Sequence, residues 1–274
     1  MRRLLLALVT LATVEAAAQD LSGFEKVLLP VEPFVPITGA AGTEFTTRRD
    51  AWAPAPFRYY FGGNAIQTFD PIRLIPAPIV TPSQPRSEIG RLLYIEKSAV
   101  DGVSMQLQLQ SRPAGEPAHL ARVDTVPVVR ERDFRTGTIA FARVPFPYVY
   151  LTDGVAREAS AQYRHALRIY DVDLRGDAAV RIRVFWTNVG GGGALVKDAI
   201  VPLDRRNGSD PSFPYYAVVD LDTFFSSCNP FSLHTPCLGM DTRIELQPMT
   251  AGMRYWAFVS LTNNFTQDVT IFAP

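Results

Sequence analysis

The chain has 274 residues, 47% of them hydrophobic, with 27 basic side chains balanced by 27 acidic ones. A neutral chain with no basic patch is not built to hold a nucleic-acid backbone. The length suits one large β domain or two ordinary ones, and 22 prolines and 18 glycines spread along the chain suit short strands joined by turns.

The first residues read MRRLLLALVTLATVEAAAQD. Arg2 and Arg3 supply a positive start, Leu4 to Val14 an apolar run, and Ala16-Ala17-Ala18 a small-residue cleavage site. This is the pattern of a secretory signal peptide over residues 1–18, cleaved after Ala18. The apolar run is shorter than the about 20 residues that span a bilayer, and no later segment reaches that length, so no transmembrane segment is expected. Loss of Arg2, Arg3 and Glu15 leaves 25 basic against 26 acidic residues. The product is expected to be secreted or periplasmic.

After the leader, periodicity of two dominates and a helical stripe is absent. Strands are expected at 25–31, 44–48, 57–61 and 72–76. On Phe57-Arg58-Tyr59-Tyr60-Phe61 the odd positions face inward, leaving Arg58 and Tyr60 outward. Trp52, close to Pro54 and Pro56, belongs to a loop. Residues 91–111 read as a β-hairpin turning at Asp101-Gly102, with Val103, Met105, Leu107 and Leu109 on one face. Further strands are expected at 119–130, 138–142, 165–171, 195–202, 215–221 and 268–272. In AVRIRVFW, Val180, Ile182, Val184 and Trp186 face one way; in TRIELQ, Ile244 and Leu246 face inward. YWAFVSLT sets Tyr255, Ala257, Val259 and Leu261 against Trp256 and Phe258, whose face is either exposed or covered by another domain.

Strands with one apolar and one polar face form antiparallel sheets packed face to face. The expected fold is all-β: two immunoglobulin-like β-sandwich domains in tandem, residues 19–133 and 134–274, divided at the charged stretch VVRERDFRTG. One larger sandwich with long insertions is the competing arrangement. Several segments carry a resemblance as well: VLLPVEPFVPITGAAGTEFTT, VPVVRERDFRTG, RHALRIYDVD and RYWAFVSLTNNFTQDVTIFAP. The chain resembles in them a group of uncharacterised exported bacterial proteins, similar in layout, with a signal peptide and two all-β halves. The resemblance implies fold and export and carries no activity.

The most chemically loaded stretch is CNPFSLHTPC, which holds both cysteines, Cys228 and Cys237, around His234. In an exported chain this pair is expected to be a disulfide. Zinc would need a fourth ligand, and a redox pair a C-x-x-C spacing. No G-x-S-x-G is present, so His119, His165 and His234 lack a nucleophile elbow to serve; His165 sits with Leu167 and Ile169 on the apolar side of a strand. Asp220 and Asp222 share a strand face as a carboxylate pair, read as a solvated strand end. Asp171, Asp173 and Asp177 around Gly176 are weak calcium candidates, since a turn also explains them.

Arg130, Glu131, Arg132, Asp133 and Arg135 read as a solvated or interdomain salt-bridge cluster. Exposed aromatics are the lead for a ligand, with Trp52, Tyr60 and Trp256 as candidates. The expected function is therefore a non-catalytic, exported binding or structural module of the bacterial cell envelope or extracellular space. Its partner would be a protein or an envelope polysaccharide, with no cofactor. The alternative is a carbohydrate-binding or carbohydrate-active protein using exposed aromatics and acidic residues.

Overall fold

The computed structural model describes residues 20–31, 37–38, 43–62, 65–70, 90–113, 115–117, 122–144, 148–150, 156–158, 163–187, 193–206, 209–221, 242–263, 266 and 268–274. The signal-peptide pattern, the 72–76 strand, Cys228, Cys237, His119, His234 and Asp222 lie outside these residues.

Among the described residues the elements are strands and short 3-10 turns, and all strand pairs are antiparallel. Four main sheets form. Sheet I has the order β5-β4-β6-β1-β9, from Gln67–Phe69, Phe57–Tyr60, Arg91–Glu96, Phe24–Leu29 and Val129–Arg130. Sheet II is β2-β3-β7-β8, from Ile37–Thr38, Thr43–Trp52, Ser104–Pro113 and Arg122–Val126. Sheet III is β16-β13-β18-β19, from Tyr215–Asp220, Tyr163–Asp171, Tyr255–Asn263 and Val269–Phe272. Sheet IV is β10-β17-β14-β15, from Ile139–Val144, Thr242–Pro248, Ala179–Thr187 and Gly193–Pro202. A small β11–β12 pair, Tyr148–Tyr150 with Ala156–Glu158, stands apart.

The 91–111 hairpin does not form. β6 pairs with β1 and β4 in sheet I, whereas β7 pairs with β3 and β8 in sheet II. Asp101-Gly102 instead lies in a 3-10 turn, Val100–Gly102, that carries the chain between sheets. The reason is in β6 itself: Leu92, Leu93, Tyr94 and Ile95 are all buried, so both its faces are apolar. Such a strand belongs in the middle of a covered sheet, while β7 alternates and suits a sheet with one open face. The DVDLRGD turn likewise joins β13 in sheet III to β14 in sheet IV rather than closing a hairpin. β14 and β15, consecutive in the chain, do pair with each other.

Two cores result. The first gathers Val27, Leu29, Tyr59, Leu93, Leu107 and Val126 from sheets I and II. The second lies between sheets III and IV, with Leu167, Ile169, Ala257 and Val259 meeting Val180, Ile182, Ile244 and Leu246. Sheet III is covered on one face and over part of the other. Its other parity, Tyr170, Trp256, Phe258 and Val269, enters the first core. The sandwich of the second half thus carries the first half on its back.

Part of the outward face of sheet I is covered in the same way, although Arg58 on that face is exposed. Its neighbouring residues Tyr60, Tyr94 and Lys26 occupy one row, and each bonds to the second half. The Tyr60 hydroxyl donates to Asp210 Oδ2 (2.9 Å), Tyr94 Oη to the Pro211 carbonyl (3.0 Å) and Lys26 Nζ to the Val172 carbonyl (2.7 Å). Leu92 N–H donates to the Ser212 carbonyl at 2.8 Å, so the 210–213 turn lies against β6. Tyr170 Oη donates to the Pro30 carbonyl.

Candidate functional site

Sheet III also holds a recess that combines an apolar floor with converging charge. The pairing of its strands explains why a recess is there. Asp220, Ala166, Ser260 and Ile271 stand in one row across β16, β13, β18 and β19. One step along lie Val218, Arg168 and Phe258; on the other side lie Arg164, Thr262 and Val269. Ala166 and Ser260 are the small residues of the middle row, flanked by long ones. Rows of one face lie roughly 7 Å apart along a strand, so two short side chains in the centre leave a hollow that their neighbours do not fill.

Val31, Phe45 and Leu109 from the first half close the hollow from above. The cavity is about 250 Å³, just under the roughly 300–1,000 Å³ of typical small-molecule sites. Apolar side chains make most of its wall, while Arg164, Arg168, Asp220 and Thr262 bring polar groups to it. Arg168 Nη1 donates to Ser260 Oγ at 2.7 Å, and its guanidinium lies 5.5 Å from the Phe258 ring centroid. Arg164 and Asp220 are exposed, so the polar side of the cavity meets solvent. His165 borders the cavity and is 4% exposed, with the parity of Leu167 and Ile169.

The aromatic candidates separate. Trp52 ends β3 rather than sitting in a loop and is 61% exposed. Tyr60 and Trp256 are buried, at 3% and 4% exposure, and offer no stacking surface. Their assigned strand faces were right, but that face of each strand is covered by the other half of the chain. Burial, with the bond to Asp210, pushes the Tyr60 phenol up. Trp256 packs 5.7 Å from Phe258, which stacks at 6.4 Å on Tyr170.

The aspartates of 171–177 are engaged as well. Asp171 is fully buried and accepts from Asp173 N–H (2.9 Å) and Arg175 N–H (2.6 Å). Its carboxylate folds the turn back on itself, with Leu174 and Gly176 at positive φ. Burial raises its pKa and these N–H groups oppose the rise. Asp173 meets Arg254 Nη2 at 2.7 Å and Lys26 Nζ at 3.7 Å. Asp177 is exposed. Among the described residues no group of three or more His, Cys, Asp or Glu is placed to hold a metal ion. The turn itself is built on Asp171.

Glu131 joins the same cluster, accepting from Arg254 Nη1 (2.6 Å) and from Lys26 N–H (3.0 Å). Burial works to raise the Glu131 and Asp173 pKa values, but Arg254 and the backbone N–H donors outweigh it and hold both below the usual carboxylate range. Lys26 moves against its partners: burial lowers its pKa, and the neighbouring Arg254 adds to that against the pull of Asp173. The asymmetry is physical, since Arg254 takes the direct bonds to both carboxylates and leaves Lys26 the longer approach. Arg130 pairs with Glu25 at 3.1 Å, and Arg135 forms a two-way backbone bridge with Tyr255. The charged stretch therefore bonds both to Glu25 and Lys26 before it and to Arg254 and Tyr255 after it.

Compared with protein-family models, curated proteins and solved structures, the chain matches none. No helix among the described residues is long and apolar enough to cross a membrane.

Proposed function

We propose that the chain is an exported, non-catalytic binding module of the bacterial cell envelope or extracellular space. In this reading it consists of two tandem immunoglobulin-like sandwiches held as one body, and it belongs with the exported bacterial proteins it resembles. The observation that carries it is the recess on sheet III, roofed by the first half and bordered by Arg164, Arg168 and Asp220. The leader pattern at residues 1–18 supports export. A disulfide between Cys228 and Cys237 belongs to the same reading.

The test is a thermal-shift screen of the purified protein against sugars, amino acids, short peptides and organic acids, run beside Ala166→Phe. Ala166 stands in the middle row of the recess, so a phenyl ring there fills it. Ligands that stabilise the parent and not the variant place binding in the recess. A screen in which every stabilising compound acts equally on both proteins would overturn this reading.

A second reading is favoured by one residue. Trp52, at 61% exposure, presents a flat ring to solvent of the kind that stacks on sugars. Binding to an envelope polysaccharide that is lost in Trp52→Ala, with folding retained, would move the site to the end of β3.

A further inference from the structure

We infer that the recess on sheet III takes a small amphipathic monoanion, a straight-chain carboxylate of about eight carbons being the best fit in size and charge. The inference rests on the recess being the binding site. Three features set the ligand class. The volume of about 250 Å³ equals the liquid share of roughly eight waters, which suits a short tail and is too small to enclose a polysaccharide segment or a folded peptide. The inner wall is apolar, from Phe45 and Leu109 on one side and Phe258 and Ile271 on the other, so the ligand's body is apolar too.

Charge decides the head. Arg164 and Arg168 stand on β13 two residues apart, on one face, with Asp220 across the sheet. Among the residues that line the recess, two guanidinium groups stand against one carboxylate. Arg168 donates to the neutral Ser260 hydroxyl, and Arg164 is exposed at the opening. A carboxylate entering tail first brings its oxygens to this edge, where a guanidinium meets them in a planar fork. A cationic head is repelled by that pair of arginines, and a neutral oxygen accepts from them only a weaker bond than a carboxylate does. The opening to solvent lets the charged end stay hydrated, so the head need not be stripped of water for the tail to be buried.

The experiment is calorimetric titration of the purified protein with octanoate, with octylamine and octyl glucoside as same-tail controls and acetate as the tailless one. Octanoate is expected to bind saturably, and the controls at least about tenfold more weakly, as expected for one charge-assisted hydrogen bond. Arg164→Ala is expected to weaken octanoate about tenfold with no change in melting temperature, because Arg164 is exposed. Ala166→Phe is expected to abolish binding. Octanoate and octylamine binding equally well, or octanoate binding that Arg164→Ala leaves unchanged, would overturn the inference. If neutral sugars bind the parent and fail on Ala166→Phe, the recess remains the site and only the ligand class falls. If nothing distinguishes the parent from Ala166→Phe, the site itself falls.

Discussion

Trp256 lies on β18 among strands of the second half, yet its indole is buried at 4% exposure in the core of the first. Replacing it with alanine separates two pictures of this chain. If each half carried its own complete core, Trp256→Ala would trim a surface of the second half, at about 0.5 kcal/mol or less. With sheet III shared, the substitution opens a cavity in the first core and removes the contact with Phe258 at 5.7 Å. Truncations of buried Trp cost about 3–5 kcal/mol. At about 2–4 °C per kcal/mol for a protein of this size, the melting temperature falls by about 6–20 °C. Scanning calorimetry is the assay. The parent is expected to unfold in one transition, because the 210–213 turn, the Arg254 cluster and the two faces of sheet III tie the cores together. The variant keeps one transition, shifted down. Ile200→Ser, at a 61% exposed position on the sheet IV edge, is the control and moves little. Two resolved transitions, with only the upper or only the lower one displaced by Trp256→Ala, would refute the shared-sheet argument.

Further outcomes follow from the joint and the turns. Glu131 and Asp173 have folded pKa values below their unfolded ones, so their contribution is present above about pH 4 and is lost as pH falls through the lower folded values. Asp171, raised by burial, works in the opposite direction and offsets part of the loss. The urea midpoint should therefore fall below about pH 4, and Arg254→Met should flatten that fall; parallel pH profiles for the two proteins would exonerate the cluster. Asp171→Ala removes a buried carboxylate that holds two backbone N–H groups and should cost about 1.5–3 kcal/mol or more in urea unfolding, while millimolar calcium leaves the parent's stability unchanged. A calcium-dependent rise in melting temperature would restore the ion. Gly176→Ala, at φ +74 with its new Cβ 2.9 Å from the Tyr215 ring, should cost about 1 kcal/mol or more; an unchanged midpoint would mean the turn relaxes. On the proposed Cys228–Cys237 disulfide, reduction is expected to lower stability by about 2.5–3 kcal/mol and Cys228→Ser with Cys237→Ser to abolish the effect; an unchanged urea midpoint under reductant would count against the pairing.

Periodicity of two placed most strands and their faces. Val180, Ile182 and Val184 are all buried, as are Ile244 and Leu246. What alternation does not carry is the identity of the surface opposite. Alternation puts Tyr60 and Trp256 on the faces opposite Tyr59 and Ala257, and the structure has both there. Each is buried by residues far away in sequence, Asp210 in one case and the first core in the other. The misplaced hairpin at 91–111 has the same origin. Asp-Gly is a local turn signal, and the continuous apolar run of β6 was the stronger evidence that this strand sits mid-sheet between β1 and β4. The recess was not legible at all. Ala166 and Ser260 are small residues 94 apart, and only the strand register makes them neighbours.

The route of the 210–213 turn has a consequence for how the chain acquires its shape. A polypeptide emerges from the ribosome or an export channel N-terminus first, so sheet I is complete in sequence once β9 has appeared. Its row of Tyr60, Tyr94 and Lys26 still has no partner then, because Asp210, Pro211 and Val172 have not arrived. The face that Trp256 and Phe258 seal waits longer still. The N-terminal half is thus an unfinished object for most of synthesis, with apolar surface open to aggregation or to a holding chaperone. Cutting the gene at the charged stretch near residue 133 would not yield two small proteins. It would yield one half with an exposed flank and another with a bare back, and they are expected to recover their shape only when mixed.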